Sequence, residues 1–114
     1  MKLRFKVWFE KEGEPVMTEL KLRLLKGIKE EGSLARSAAR LGISYKKALG
    51  HLRAMEERLG YRVVERKRGA GARLTEEGER LLRRYERVLK AFSELAERLD
   101  EEEGVGGGGG VAAR

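Results

Sequence analysis

At 114 residues the chain has room for one domain with a single modest core, and 26 Lys plus Arg against 19 Asp plus Glu leave a formal net charge of +7. That balance points to a polyanionic partner, nucleic acid or an anionic surface. The absence of cysteine excludes a disulfide framework and a thiolate zinc site, and no stretch approaches the roughly 18 consecutive apolar residues of a membrane span.

Residues 3–9 alternate Leu3, Phe5, Val7 and Phe9 with Arg4, Lys6 and Trp8, a period of two that predicts a half-buried strand rather than a signal peptide. A cytoplasmic location without membrane contact is therefore expected. Glu12-Gly13-Glu14-Pro15 is turn chemistry, and Val16-Met17 is expected to return as a short second strand. Thr18 caps an expected first helix over residues 18–31, with Leu20, Leu24, Leu25 and Ile28 on its buried face and Gly32 as its stop. Ser33 caps a short second helix over residues 33–41, whose small apolar side carries Leu34, Ala35, Ala38, Ala39 and Leu41. After Gly42-Ile43, Ser44 caps a third helix over residues 44–59. Ala48, Leu52, Met55 and Leu59 face its core side, and Lys46, Lys47, Gly50, His51 and Arg53 the other.

Residues 62–74 read as a basic hairpin with its tip at Lys67 to Ala72. Thr75 then opens a long helix over residues 75–102, with Glu76 and Glu77 placed where the helix dipole favours carboxylates. Its apolar positions Leu81, Tyr85, Val88, Leu89, Phe92, Leu95 and Leu99 follow a heptad seam longer than one small core covers, and they are the expected homodimer interface. Residues 1–103 are thus read as one domain. Residues 104–114, with five consecutive glycines, are expected to be a disordered tail.

Charge is not spread evenly. Residues 36–73 hold eleven basic side chains against three acidic ones, whereas the chain from Glu76 onward nets negative. A positive face therefore belongs to the middle of the chain. The order of helix, helix, tight glycine turn, helix, basic hairpin and helix is that of a winged helix-turn-helix, mainly α with a small β component, preceded by a strand or hairpin and followed by a long dimerisation helix. In that arrangement the short second helix braces the third, and small residues such as Ala35, Ala38 and Ala39 are expected at the approach. The third then projects its first turns into a major groove.

The blocks Gly32-Ser33-Leu34-Ala35, Ala38-Ala39 and Leu41-Gly42-Ile43-Ser44-Tyr45-Lys46 resemble the DNA-binding domain of ModE-type regulators, the molybdate-responsive repressors. So do Glu56-Glu57-Arg58-Leu59-Gly60, Val63-Val64-Glu65-Arg66 and Leu74-Thr75-Glu76-Glu77-Gly78, and LysR-type DNA-binding domains share the skeleton. The resemblance implies a recognition helix that presents Ser44, Tyr45, Lys46, Lys47, Gly50 and Arg53, and a wing from Arg66 through Lys67 and Arg68 to Arg73. Ser33, Arg36 and His51 complete the expected DNA-facing set. The family's oxyanion-binding domain has no counterpart in these residues, so molybdate binding is unsupported.

The reading is a sequence-specific, dimeric regulator that binds double-stranded DNA. An architectural or non-specific nucleic-acid binder, and a winged-helix protein-interaction module, stay open as alternatives. No catalytic residue, metal ligand or cofactor is expected: one histidine and scattered carboxylates offer no nucleophile–base pair.

Overall fold

The computed structural model describes the backbone of residues 1–110 and the side chains of residues 1–102. In chain order the elements are β1 (Phe9–Lys11), β2 (Glu14–Met17), α1 (Glu19–Glu31), α2 (Leu34–Leu41), α3 (Tyr45–Leu59), β3 (Val64–Lys67), β4 (Gly71–Leu74) and α4 (Glu76–Gly110). They fall into two compact units, Val7–Glu86 in one and Met1–Lys6 with the described chain from Arg87 in the other.

Local chemistry sets most boundaries of the first unit. Thr18, Ser33 and Ser44 each accept a backbone N–H three residues on, from Lys21, Arg36 and Lys47, and so satisfy donors that a helix start leaves unpaired. Gly32, Gly42 and Gly60 end the same three helices in left-handed conformation. The two sheets are antiparallel hairpins. In β1–β2, Glu12 and Gly13 both take positive φ, 54° and 82°, the geometry that a two-residue hairpin turn demands.

The core of this unit is Met17, Leu24, Leu25, Ile28, Leu52, Met55, Val63, Val64 and Tyr85, all essentially without exposed surface. Two tight approaches close it. Ser37 Oγ donates to Leu24 O at 2.8 Å, and a Cβ on Gly27 would overlap that same serine, so α1 and α2 meet through Gly27 and Ser37. Ala38, expected with Ala35 and Ala39 where α2 approaches α3, is buried, whereas Ala35 and Ala39 are exposed. Where the start of α4 meets the residues that lead into β3, a Cβ on Gly78 would overlap Val63 O, while Thr75 donates its N–H to that oxygen and its hydroxyl to Arg62 O.

The bounds and faces of three elements also depart from the sequence reading. The expected strand over residues 3–9 is reduced to Phe9–Lys11, because β2 offers partners only to those three residues before α1 begins at Glu19. On α1 the buried face is turned by about one residue: Lys21 and Leu22 are buried and Leu20 is exposed, since α1 packs against α2, α3 and β4 rather than one neighbour. Finally, α4 does not stop at 102 but continues to Gly110, into the segment expected to be a disordered tail. The last four positions of that expected tail, 111–114, lie outside the described residues.

Candidate nucleic-acid interface

The third helix is held from both ends. At its C-terminal end Arg58 Nη1 donates to Pro15 O at 2.8 Å and Lys11 Nζ to Leu59 O at 3.3 Å, tying it to the β1–β2 hairpin. One turn earlier, Glu56 Oε2 accepts from Val63 N–H at 2.8 Å and Val64 N–H at 3.2 Å, which fixes where the chain leaves α3 and enters β3. At its N-terminal end Ile43 N–H bonds Ala38 O across the Gly42 turn, and Ser44 supplies the cap. Ala48, Leu52 and Met55 anchor the inner side, as the 4 and 3 spacing predicts.

So held, α3 turns Lys46, Lys47, Gly50 and Arg53 to the exterior, with Tyr45 exposed at its start. Space around Gly50 is empty to 4 Å, so the backbone there is open to close approach by another molecule. His51 is half-buried beside them. Burial, then Lys21 and Lys47, holds its imidazole below its ordinary value, so it is a neutral donor–acceptor at neutral pH. Lys21 is itself depressed, by burial and then by Arg58.

The wing is β3–β4 with register Val64↔Leu74, Glu65↔Arg73, Arg66↔Ala72 and Lys67↔Gly71. Its tip is Arg68-Gly69-Ala70, closed by Ala70 N–H to Lys67 O at 3.0 Å. Ala72 N–H donates to Gly32 O at 2.9 Å, so the wing is pinned to the turn between α1 and α2. Gly71 makes that approach possible: its φ is +79°, and a Cβ there would overlap Gly32 O. Arg66 Nη1 donates to the Tyr45 hydroxyl at 2.8 Å, joining the wing to the first residue of α3. Arg73 is paired with Glu65 across the strands at 3.1 Å.

Between α2, α3 and the wing lies a cleft of about 540 Å³, lined by Ser33, Leu34, Ala35 and Tyr45 on one side and Arg62, Arg66, Lys67 and Arg68 on the other. Most of the expected set meets here or on the adjoining face of α3. Arg36, exposed one turn into α2, and Arg73, engaged with Glu65, are not among the residues that line the cleft. Ser33 and Ser44 spend their side-chain oxygens on caps. Arg62 was not singled out from sequence. Its position in the basic run was visible, but its place on the cleft depends on how Glu56 aims the chain, and Arg62 Nε lies 3.5 Å from that carboxylate.

The seam on α4 divides. Leu81 and Tyr85, expected at a dimer interface, are instead buried in the core of the first unit. The Tyr85 hydroxyl donates to Val7 O at 2.6 Å, and its ring meets Phe9 edge-on. A side chain that already fills its own core has no surface left for a partner. Val88 and Leu89 are half-buried, and Phe92, Leu95 and Leu99 are exposed. Among the described residues no helix is long and apolar enough to cross a membrane.

Comparison with known proteins agrees with this geometry. The chain is 35% identical over 94 residues to the molybdenum transport protein ModE of Azotobacter vinelandii, and 37% identical over 89 residues to the transcriptional regulator ModE of Haemophilus influenzae. Each match covers 75% of this chain and 34% of the relative, so the chain spans about a third of the length of these curated relatives. The crystal structure of a CbnR DBD–DNA complex superposes with a TM-score of 0.62 at 27% identity, over 75% of this chain and 98% of that one. The fold is a winged helix-turn-helix like that of LysR-type DNA-binding domains. Residues 20–79 match the family described as bacterial regulatory helix-turn-helix protein, lysR family, and with more than half of its residues inside that match the chain belongs to this family.

Proposed function

We propose that this chain is a sequence-specific reader of double-stranded DNA that regulates transcription, works in the cytoplasm as a homodimer, and is not an enzyme. The observation that carries the reading is the exterior of α3, where Lys46, Lys47 and Arg53 pair with no carboxylate among the described residues and stand with Gly50 beside a cleft walled by Arg62, Arg66, Lys67 and Arg68. An α-helix fits a major groove, and cations at its rim neutralise phosphates while its first turns meet base edges. The likeness to a CbnR domain solved on DNA, and to relatives named as regulators, supports the same conclusion. The exposed stretch of the α4 seam at Phe92, Leu95 and Leu99 supports a dimer, which would set two recognition helices about one turn of duplex apart.

Selection of bound duplexes from a random pool, followed by titration of the winner, tests this. Replacement of Lys46 and Lys47 together by alanine is expected to weaken binding to the selected duplex by roughly 2–6 kcal/mol, at about 1–3 kcal/mol per good base contact. Unchanged affinity in that variant, or a pool without enrichment, overturns the reading. A steep salt dependence with no preference among sequences instead identifies an architectural binder.

A further inference from the structure

The unit formed by Met1–Lys6 and the chain from Arg87 carries an apolar face that the unit itself leaves open. The ring of Phe5 lies tilted on that of Phe92, centroids 5.8 Å apart, and Leu3 donates its N–H to Asp100 Oδ1 at 2.9 Å. Positions 92, 96 and 100 stand one above another on a helix. Residues 3–5 therefore run antiparallel to α4 along that stripe, and Ala96 between its ends is buried. This contact does not close the surface. Phe92, Leu95 and Leu99 remain 44%, 41% and 42% exposed, and Leu3 and Phe5 remain 44% and 38% exposed. Five large apolar side chains gathered in one small unit form a contiguous patch of the kind that marks an interaction site, rather than the singly scattered apolar residues of an ordinary surface.

The surrounding charges indicate what covers it. Along this part of α4 the helix is basic at Arg87 and Lys90, then acidic at Glu94, Glu97, Asp100, Glu101 and Glu102, with Arg98 alone opposing them. Among the described residues none of these side chains, and none of Lys2, Arg4 and Lys6, takes part in an ion pair within the chain. A polarised helix of this kind is complementary to itself only when turned end for end: a parallel copy sets like charges side by side, and an antiparallel one sets basic turns against acidic turns.

We propose that the first six residues are part of the dimer face: a second copy of this chain docks antiparallel over a composite surface of Leu3, Phe5, Phe92, Leu95 and Leu99, leaving Lys6, at the end of the segment beside the basic turns of α4, to pair with carboxylates of that copy. The inference rests on the homodimer reading and adds the opening segment, which the α4 seam alone does not include.

Sedimentation equilibrium on the full chain tests it with three proteins: the unaltered sequence, Leu3→Ser with Phe5→Ser, and Phe92→Ser with Leu95→Ser. Both variants are expected to raise the dimer dissociation constant by about tenfold or more, the scale of losing central apolar contacts. If only the Phe92/Leu95 variant loses the dimer, the opening segment has no part in it; the inference falls and the homodimer reading stands. If the unaltered chain is monomeric at every concentration, both fall. Hydrogen exchange on the unaltered chain keeps the test independent of the variants' folding: amides 2–6 are expected to gain protection as concentration rises through the dimerisation range, and protection that ignores concentration overturns the inference.

Discussion

Along α4 one apolar stripe receives two opposite treatments. Between residues 76 and 86 its members Leu81, Leu82 and Tyr85 are buried, and Tyr85 also hydrogen-bonds through its hydroxyl; ten residues on, Phe92, Leu95 and Leu99 present similar side chains to solvent. The spacing is continuous, so periodicity alone does not separate them. What separates them is supply. The unit that contains Val7 to Glu86 brings two hairpins and three further helices to cover its stripe, while the other brings only residues 1–6. The same contrast between covered and open recurs among the glycines, where Gly71 and Gly78 face backbone and Gly50 faces empty space.

Substitutions sharpen or break this contrast, and the largest effect is expected at Tyr85. Tyr85→Ala removes a fully buried ring and its hydrogen bond and is expected to cost about 3–5 kcal/mol of folding free energy, read from urea unfolding. Phe92→Ala, measured at concentrations where the chain is monomeric, is expected to cost under about 1 kcal/mol. Similar losses at the two positions would mean that the open half is not open.

Gly71→Ala and Gly78→Ala come next. Each sets a methyl group against a carbonyl oxygen, and Gly71 adds a positive φ, so a loss of roughly 1–3 kcal/mol is expected in thermal unfolding. Gly50→Ala meets nothing and is expected to stabilise the helix by up to about 1 kcal/mol, while crowding any duplex brought against α3.

Tyr45→Phe removes the acceptor for Arg66 and is expected to cost at most about 1 kcal/mol of stability, because the bond is exposed. Hydrogen exchange at the wing amides, rather than the melting temperature, is the sensitive measurement.

The smallest effect is protonic. His51 titrates below its ordinary value in the folded chain, so as the pH falls through the imidazole range, about 6.5, the unfolded chain takes up more protons and folding stability declines. His51→Gln is expected to remove that acid-side decline, seen as urea midpoints that change less between about pH 8 and about pH 5. A decline of the same size in the variant assigns it to other groups.

What could be read from the chain followed the range of the interactions. Caps at Thr18, Ser33 and Ser44 and stops at Gly32, Gly42 and Gly60 depend on neighbours within a few residues, and they stand where the sequence places them. The outward set on α3 follows from the period of its core side. Features that join distant residues were not legible: Glu56 gripping two amides of β3, Arg66 on the Tyr45 hydroxyl, and Arg62 on the cleft. Alternation at residues 3–9 signals extended chain, yet a strand also needs an edge to pair with, and β2 is too short to provide one. Likewise the α4 seam announced apolar contact without saying with what, which is why Leu81 and Tyr85 belong to the interior.

The bond from Ala72 to Gly32 has a mechanical consequence. Its return strand is fastened to the end of α1 and Arg66 to the start of α3, so both strands of the wing are tied to the helices beside them. On the proposed reading a duplex would then meet α3 and the wing at a set spacing, and a sequence whose groove does not match would have to bend or twist to fit. The work of that distortion would fall on the nucleic acid and extend discrimination to base pairs that no side chain touches.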